Sequence, residues 1–322
     1  MDFFIFDKNI NLLGEISSFD YICWTRNFYD ASSVEIQLKF NKELLLLVQT
    51  ENYIYKKDTK EIAIIENLKV SSSDANIINL SCRGLSSILD RRLILSYSAT
   101  NIDIGSLFYN LIDSNCINTT NADRKIPNLT AQNIVTGSVI QSIEIDKKNL
   151  LDTIKEYAIK NQVGFRVDID IVTKVMAFKT LIPIDKTSDI CFSRNFGNVL
   201  EQTYYKQLRD YKNIGYNNEA IASGSAKGLD RREVYTEAIN DYKIIDTLET
   251  TPNSNAYPEY LKDYNLGDIV MTKNEDLRLI EPKIITQIIE NYSEQGKQIE
   301  LVFGTPIPTL LEKIKRDIRS VK

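Results

Sequence analysis

The first ninety residues contain one short strand-like segment after another, and the clearest of them alternates apolar and polar side chains with a period of two. In residues 33–40, the apolar positions of this alternation are Val34, Ile36, Leu38 and Phe40. This is the pattern of a strand with one buried face. Further strands are predicted at residues 3–6, 11–16, 21–24, 52–56, 62–70 and 77–82, and short helices at 41–48 and 84–92. Short strands at such close spacing favour an antiparallel barrel or sandwich.

The pattern changes over about residues 95–185. Apolar residues recur at helical spacing in 103–113 and again in 149–160. The polar segment 118–132 between them is predicted to be an exposed loop. A hairpin with a tight turn is predicted at 164–181. This order of elements predicts a small α+β domain inserted between two β sections.

The β pattern returns after residue 186. Strands are predicted at 189–193, 199–208, 213–216, 231–235, 269–272, 284–289 and 298–303. The segment 247–263 is ambiguous, and a short helix is one interpretation of it. We therefore expect a mainly β fold with an α+β insertion, divided into a β-barrel at 1–94, the inserted domain at 95–185, a second β-barrel at 186–304 and a C-terminal helix at 305–322.

The C-terminal segment is predicted to form an amphipathic helix. Pro306 and Pro308 end the preceding strand, and Thr309 can cap a helix that begins at the next residue. The apolar stripe of this helix consists of Leu310, Leu311, Ile314, Ile318 and Val321. The stripe either packs on the protein's own core or binds a neighbouring subunit. We take these five residues as the candidate docking site.

Composition excludes several classes of function. A chain of 322 residues can form two or three cores, and its net charge of −5, without a large basic cluster, argues against nucleic-acid binding. No apolar run is long enough for a membrane span, and no signal peptide is expected. Histidine is absent, which removes histidine-dependent catalytic triads, acid–base catalysis and zinc sites. The four cysteines are widely spaced and predicted to be buried free thiols: Cys23, Cys82, Cys116 and Cys191.

The remaining polar candidates do not form a persuasive active site. Asp168 and Asp170 share one face of a predicted strand, as a glycosidase pair could, but we expect them to face solvent. The loop 223–228 lacks the spacing of a phosphate-binding loop. Asp268 is expected to bond backbone amides in its turn. We predict no catalytic, cofactor-binding or metal-binding residue.

Several ordered motifs resemble a known family. The segment 263–270 reads DYNLGDIV, and the chain then forms a two-strand pattern that ends in Val302-Phe303-Gly304. Further similar motifs are Trp24-Thr25-Arg26, the turn at 84–92, the strand start at 192–200 and Tyr211-Lys212-Asn213. In this order the set is similar to phage baseplate hub and tail-associated proteins. Asp30-Ala31-Ser32 departs from that pattern, because a glycine is usual there.

The resemblance implies a structural role and a particular architecture. Two tube-protein-like antiparallel β-barrels per subunit would form a homotrimer that adapts a sixfold tail tube to a threefold central spike. The implied partners are the tail tube protein or a tube-terminating baseplate protein, a central spike or fibre protein and the tape measure protein. The implied location is a virion or a phage-tail-like particle such as a bacteriocin, assembled in the host cytoplasm.

An alternative function stays open at this stage. Some tail-associated proteins are cell-wall hydrolases or bind carbohydrate. Only eighteen residues follow Gly304, which leaves no room for an appended module and favours a hub without enzymatic activity.

Overall fold

The protein has a mainly antiparallel β fold, and the computed structural model describes residues 3–71, 77–207 and 245–304. The first section contains seven strands, a short helix and a 3₁₀ helix. They are β1 (Phe3–Phe6), β2 (Leu12–Glu15), β3 (Tyr21–Asn27), β4 (Ser33–Lys39), α1 (Lys42–Leu47), β5 (Tyr53–Lys56), β6 (Glu61–Ser71), β7 (Ile77–Gly84) and the 3₁₀ helix Leu85–Arg91.

The middle section combines two helices with two small sheets. Its elements are β8 (Leu93–Asp103), α2 (Ile104–Ile112), a π-helical turn (Asp113–Ile117), a 3₁₀ turn (Ala122–Arg124), β9 (Leu129–Ala131), β10 (Val139–Asn149), α3 (Leu150–Asn161), β11 (Gly164–Asp170) and β12 (Val175–Leu181). β8 pairs with β10 in a two-stranded antiparallel ribbon. β11 pairs with β12, and β9 adds to β12 in parallel.

The last section returns to β structure. It comprises β13 (Ile184–Asp185), β14 (Cys191–Ser193), the 3₁₀ turn Arg194–Phe196, β15 (Val199–Gln207), β16 (Ile245–Pro252), β17 (Asp268–Asn274), β18 (Leu279–Ser293) and β19 (Gly296–Gly304). β18 is long enough to have different partners along its length. Its beginning pairs with β17, and the remainder pairs with β19 on one edge and β3 on the other.

The first and last sections share one sheet of fourteen strands. Its order is β15-β16-β19-β18-β3-β4-β7-β6-β5-β1-β2, with β13, β14 and β17 attached beside β18. The joint between the sections is the antiparallel pair β3 and β18, from Tyr21 opposite Ser293 to Asn27 opposite Gln287. The division into domains at 94, 185 and 304 stays a prediction, since the sheet itself is continuous across the two β sections.

Three hydrophobic cores lie around this sheet. One is formed mainly by the first β section, includes Phe3, Trp24, Ile36 and Leu80, and also contains Tyr292 of β18. A second is formed within the last section and includes Phe192, Leu248, Ile288 and Phe303. The third joins the middle section to the first and includes Phe28, Leu107, Phe108, Ile154 and Phe165. The middle section is therefore packed against the first β section by apolar burial.

Local sequence explains many element boundaries. The alternation at 33–40 forms β4, whose even-numbered apolar residues are buried. Each α-helix in the described ranges begins after a polar cap whose side chain accepts a backbone N–H: Asn41 for α1, Asp103 for α2 and Asn149 for α3. The predicted helices at 41–48, 103–113 and 149–160 are confirmed.

Other expectations were incomplete. β8 and β16 were not predicted, and the expected loop at 118–132 includes strand β9. The segments 213–216 and 231–235 and the predicted C-terminal helix at 305–322 lie outside the described residues. Among the residues that are described, no helix is long and apolar enough to cross a membrane.

Candidate functional site

One polar surface extends over eight consecutive strands of the large sheet, from β15 at one end to β6 at the other. We call it the polar face. It consists of the side chains that point away from the two cores of the β sections. Its members include Glu201, Thr203, Glu249, Thr251, Glu300, Gln298, Gln287, Asn291, Cys23, Thr25, Ser33, Glu35, Gln37, Asn79, Ser81, Arg83, Asn67 and Lys69.

Strand register places these side chains in rows that cross the joint between the sections. Paired residues of antiparallel strands point to the same face. One row runs through Gln298, Asn291, Cys23, Glu35, Ser81 and Asn67. Apolar members such as Ile289 and Val302 are interspersed among the polar ones. The surface is therefore mixed but predominantly made of hydroxyl, amide and carboxylate groups.

Hydrogen bonds between neighbouring strands organise this surface. The Tyr21 hydroxyl donates to Asn291 Oδ1 at 2.8 Å, which links the first β section to the last. Gln37 Nε2 donates to Asn79 Oδ1 at 3.2 Å, and the Ser81 hydroxyl donates to Glu35 Oε2 at 2.9 Å. These bonds hold the side chains against the sheet and order the face.

The two ends of the polar face differ in charge. The β15 end carries Glu201, Glu249 and Glu300 on three adjacent strands. Burial raises the pKa of Glu300, and the carboxylates of Glu249 and Glu201 raise it further, so the three acids interact. At the β6 end are Lys69 and Arg83, of which Arg83 already contacts Asp90 at 3.0 Å.

Behind the polar face, a buried charge network crosses the joint. Arg26 of β3 is only 2% exposed. Its Nε lies 2.8 Å from Glu61 Oε1, and its Nη1 donates to Tyr260 and Asn265, each at 2.8 Å. Trp24 Nε1 donates to the second oxygen of Glu61 at 3.1 Å. Because a buried charge is tolerated only when it is paired and hydrogen-bonded, the network fixes the two sections relative to each other.

A second buried pair continues the network. Lys56 of β5 contacts Glu290 of β18, and both side chains are fully buried. Glu290 also accepts from the Tyr292 hydroxyl at 2.9 Å and lies 3.2 Å from Lys297 Nζ. Burial alone would raise the pKa of Glu290, but the ammonium groups of Lys56 and Lys297 outweigh it and lower the pKa to about 2. Glu290 is therefore ionised throughout the neutral range.

The turn before β17 is held by hydrogen bonds within the turn, by an ion pair and by a close contact with the first β section. Asp268 accepts the backbone N–H of Asn265 at 2.7 Å, as the sequence predicted, and also pairs with Lys186 at 2.9 Å. Gly267 has φ +88° and lies against the ring of Phe28, so that a Cβ there would overlap the ring. Glycine is required at this position for both its backbone conformation and its small size.

The two aspartates considered as a possible catalytic pair, Asp168 and Asp170, make structural contacts. Asp168 does not simply face solvent as expected: it lies between Arg166 and Lys179, with Lys179 Nζ at 2.8 Å. Asp170 accepts the N–H groups of Val172 and Thr173 in the hairpin turn. Asp168 is therefore held in an ion pair and Asp170 in a turn, so the two carboxylates do not act as a pair.

A small cavity lies nearby, between the first β section and the middle section. It is lined by polar groups of Asn27, Asp30, Glu61, Ser86 and Arg166 and measures about 20 Å³. That volume suits a water molecule and is too small for a substrate.

The described residues show the state of the cysteines and whether potential metal ligands come together. All four cysteines are free; Cys82 and Cys116 are buried as predicted, whereas Cys23 and Cys191 are half-buried. Within residues 3–71, 77–207 and 245–304, no group of three or more potential ligands is arranged to hold a metal ion.

The predicted docking residues lie outside the part of the chain that the structure describes. These residues are Leu310, Leu311, Ile314, Ile318 and Val321, and the loop 223–228 is likewise outside the described residues.

The buried charge network around Arg26 and Glu290 was not predicted, although the sequence contains a signal for it. Arg26 and Glu290 occupy positions whose period-two neighbours are buried apolar residues, and a charge on a core-facing position requires a partner.

We compared the sequence and the fold of the chain with those of known proteins. Residues 2–238 and 217–305 match the sequence profile of the family described as Siphovirus ReqiPepy6 Gp37-like protein. The chain belongs to this siphovirus tail protein family. No curated protein matches the chain in sequence.

Solved tail proteins share the fold of this family member. The 43 kDa tail protein of prophage MuSo2 from Shewanella oneidensis is 11% identical, with a TM-score of 0.59 and coverage of 95% of this chain and 99% of that one. Prophage tail protein gp18 from Listeria monocytogenes EGD-e is 10% identical, with a TM-score of 0.57 and coverage of 100% and 99%. The tail protein from Neisseria meningitidis MC58 is 11% identical, with a TM-score of 0.54 and coverage of 94% and 95%. At these identities the similarity establishes the fold.

Proposed function

We propose that this tail protein is the baseplate hub of a phage tail or a phage-tail-like particle. Three copies form a ring at the distal end of the tail, and the ring adapts a sixfold tail tube to a threefold central spike. The role is structural, without catalysis. The protein reaches this position by assembly in the host cytoplasm and remains in the particle.

The polar face is the observation that supports this proposal most directly. It crosses from the first β section to the last without interruption, because β3 and β18 pair within one sheet. A subunit that contributes two β sections to a shared wall gives six sections in a trimer, which matches a sixfold tube. A hydrated face of amide, hydroxyl and carboxylate groups is suited to line the passage through such a ring, since it offers no continuous apolar surface for an extended chain to adhere to.

The rigid joint supports the same role. An adaptor must transmit contacts from the tube on one side to the spike on the other without changing its internal geometry. The network around Arg26 and Glu290 ties both β sections together, so the ring would contain three stiff subunits. The partners proposed on its two sides are the tail tube protein or a tube-terminating baseplate protein, and the central spike or fibre protein. The tape measure protein is a further proposed contact.

The apolar stripe at 310–321 is proposed as a docking element. Leu310, Leu311, Ile314, Ile318 and Val321 fall on one side of the helix predicted by the sequence. An isolated helix of this length is marginal in water, so its apolar side needs a partner surface. We assign that surface to a neighbouring hub subunit or the spike.

Labelling and counting in the intact particle test the hub proposal. Immunogold electron microscopy with an antibody against this chain should place the label at the distal end of the tail. Quantitative mass spectrometry of purified particles should give three copies per tail. Label along the tail shaft or at the head end, or a copy number that is not a multiple of three, would contradict the proposal.

A further inference from the structure

The segment between β9 and β10 crosses the start of α2 without forming a helix or a strand. We call residues 132–138 the strap. Its backbone lies directly over the first turn of α2, because a Cβ added to Gly105 would overlap the carbonyl oxygen of Ile134. Ile104 and Gly105 are both buried here, and Ile104 belongs to the core that joins the middle section to the first. The strap therefore covers one end of that core.

Apolar burial contributes little to holding the strap. Each of its residues is exposed or half-exposed, and the side chain of Val135 is 74% exposed. Segments with few buried apolar contacts open at a low cost in free energy. Polar contacts must therefore provide most of the strap's attachment.

A single carboxylate makes most of these polar contacts. Asp103, at the end of β8, accepts the backbone N–H of Thr136 at 3.0 Å to each of its oxygens and that of Gly137 at 2.8 Å. Its Oδ2 also accepts the Thr136 hydroxyl at 3.1 Å. The same side chain caps α2 by accepting the N–H of Gly105 at 2.9 Å. These donors use the whole acceptor capacity of a carboxylate, which has about four lone-pair sites.

The ionised form of Asp103 is the one that fits this position. Burial acts to raise the pKa of Asp103, but the N–H groups of Thr136, Gly105 and Gly137 outweigh it and lower the pKa below its ordinary value of 3.8. Hydrogen bonds to an ionised acceptor are stronger than those between neutral groups. One side chain therefore attaches both the strap and the start of the helix.

Two further side-chain hydrogen bonds attach the strap to the helices. The Ser106 hydroxyl of α2 donates to Asn133 Oδ1 at 3.0 Å, in an exposed position. The Ser138 hydroxyl donates to Asn161 Oδ1 of α3 at 2.9 Å, where the strap leads into β10. Both bonds join neutral groups and are expected to contribute less than the contacts of Asp103. Between these two points the strap depends on the carboxylate.

We infer that the strap is a lid over the start of α2 and that Asp103 is its latch. When the carboxylate is removed, residues 132–138 open as a unit while α2 and β10 stay folded, and the end of the core at Ile104 becomes exposed. Glycine at position 105 is part of the device, because a larger residue would push the strap away. The inference concerns the middle section alone and does not depend on the proposed hub function.

Hydrogen–deuterium exchange of the full-length chain tests the latch. Asp103→Ser keeps a residue type that caps helices well but removes the charge and one of the two oxygens. Gly105→Ala leaves the carboxylate in place and displaces the strap through the added methyl group. Asp170→Ser is the matched control, because Asp170 also accepts two backbone N–H groups, in a turn outside the strap. Circular dichroism checks that each variant is folded.

Peptides from the strap and from α2 give the result. In Asp103→Ser and Gly105→Ala, residues 132–138 should exchange at least about tenfold faster than in the natural chain, because the charge-assisted contacts are lost or blocked. Exchange in α2 from Leu107 onwards should stay within about threefold of the natural chain. Asp170→Ser should accelerate exchange only around its own turn.

Several outcomes would overturn the inference. They are unchanged exchange of the strap in either folded variant, faster exchange of α2 and β10 together with the strap, and a strap that is already unprotected in the natural chain. An Asp103→Ser chain that fails to fold also counts against it, because Asp103 would then support more than the strap. If Gly105→Ala alone fails to fold, the result for Asp103→Ser decides.

Discussion

The guanidinium of Arg26 donates to Asn265 Oδ1 at 2.8 Å, across 239 positions of the chain. Arg26 lies in the first β section, and Asn265 lies in the turn that precedes β17 of the last. Both belong to segments that the family resemblance had singled out, Trp24-Thr25-Arg26 and residues 263–270. The hydrogen bond shows that the two motifs have one shared role: together they hold the two β sections at their joint.

Replacing Arg26 should destabilise the protein strongly. Arg26→Ala leaves Glu61 buried without its closest cation, and we expect a loss of about 3–5 kcal/mol in the free energy of unfolding. Urea unfolding monitored by tryptophan fluorescence measures it. The exposed pair of Lys39 with Asp20, at 3.6 Å, provides a control, because Lys39→Ala should change the free energy of unfolding by less than about 1 kcal/mol. Similar effects of both substitutions would contradict a structural role for the network.

Acid should weaken the fold through Glu290. Its pKa is about 2 in the folded protein against an ordinary value of 4.5. Between these values the unfolded chain binds more protons, so stability falls as pH decreases from about 4.5 to about 2. A difference of this size corresponds to about 3 kcal/mol, all of it present at neutral pH. Unfolding free energies measured between pH 7 and pH 2.5 should show this decline.

The Glu290→Gln variant isolates that contribution. Its free energy of unfolding should be lower at pH 7, because Lys56 loses its charged partner, and should decline less steeply between pH 4.5 and pH 2.5. An unchanged slope would show that other carboxylates cause the acid sensitivity.

Gly267 should tolerate substitution less well than Gly296. Both glycines have positive φ, +88° and +105°, so alanine is strained at either position. Only at Gly267 would the added Cβ also overlap the Phe28 ring; nothing lies within 4 Å of the corresponding position at Gly296. We expect Gly267→Ala to cost about 1–3 kcal/mol more than Gly296→Ala in thermal unfolding. Equal costs would mean that backbone strain alone accounts for both.

Removal of residues 309–322 should separate folding from assembly. If the stripe of Leu310, Leu311, Ile314, Ile318 and Val321 docks on another subunit, the truncated chain keeps its thermal transition and associates more weakly. Differential scanning calorimetry and sedimentation measure the two properties on the same sample. A truncated chain that fails to fold would instead assign the stripe to the protein's own core.

Local signals in the sequence were sufficient for many elements. The alternation at 33–40 specified β4 and its buried face. Helical spacing specified α2 and α3, and the structure shows that each begins after a side chain that caps it. The turn at 263–268 was predicted with the role of Asp268, because an aspartate at a strand entry can bond backbone amides only a few residues away. Each of these features depends on neighbours in the chain.

The missed strands depended on their neighbours in space. β16 contains Thr247, Glu249, Thr250 and Thr251, which give little apolar alternation. Thr247 and Thr250 are nevertheless buried, because β15 and β19 flank this strand on both sides. β8 is likewise rich in polar residues and is recognised as a strand only through its pairing with β10. Strand formation at such positions is decided by tertiary contacts more than by local preference.

By itself, the sequence determined the mainly β character, the helices, the lack of histidine chemistry and the ordered motifs of a tail protein family. Tertiary structure alone decided that β3 pairs with β18, that Arg26 and Glu290 are buried with partners, and that one polar face spans both β sections. The physical reason is that a strand's periodicity specifies which of its faces is buried but leaves its partner open. Partner and register follow from packing and buried charge between residues hundreds of positions apart.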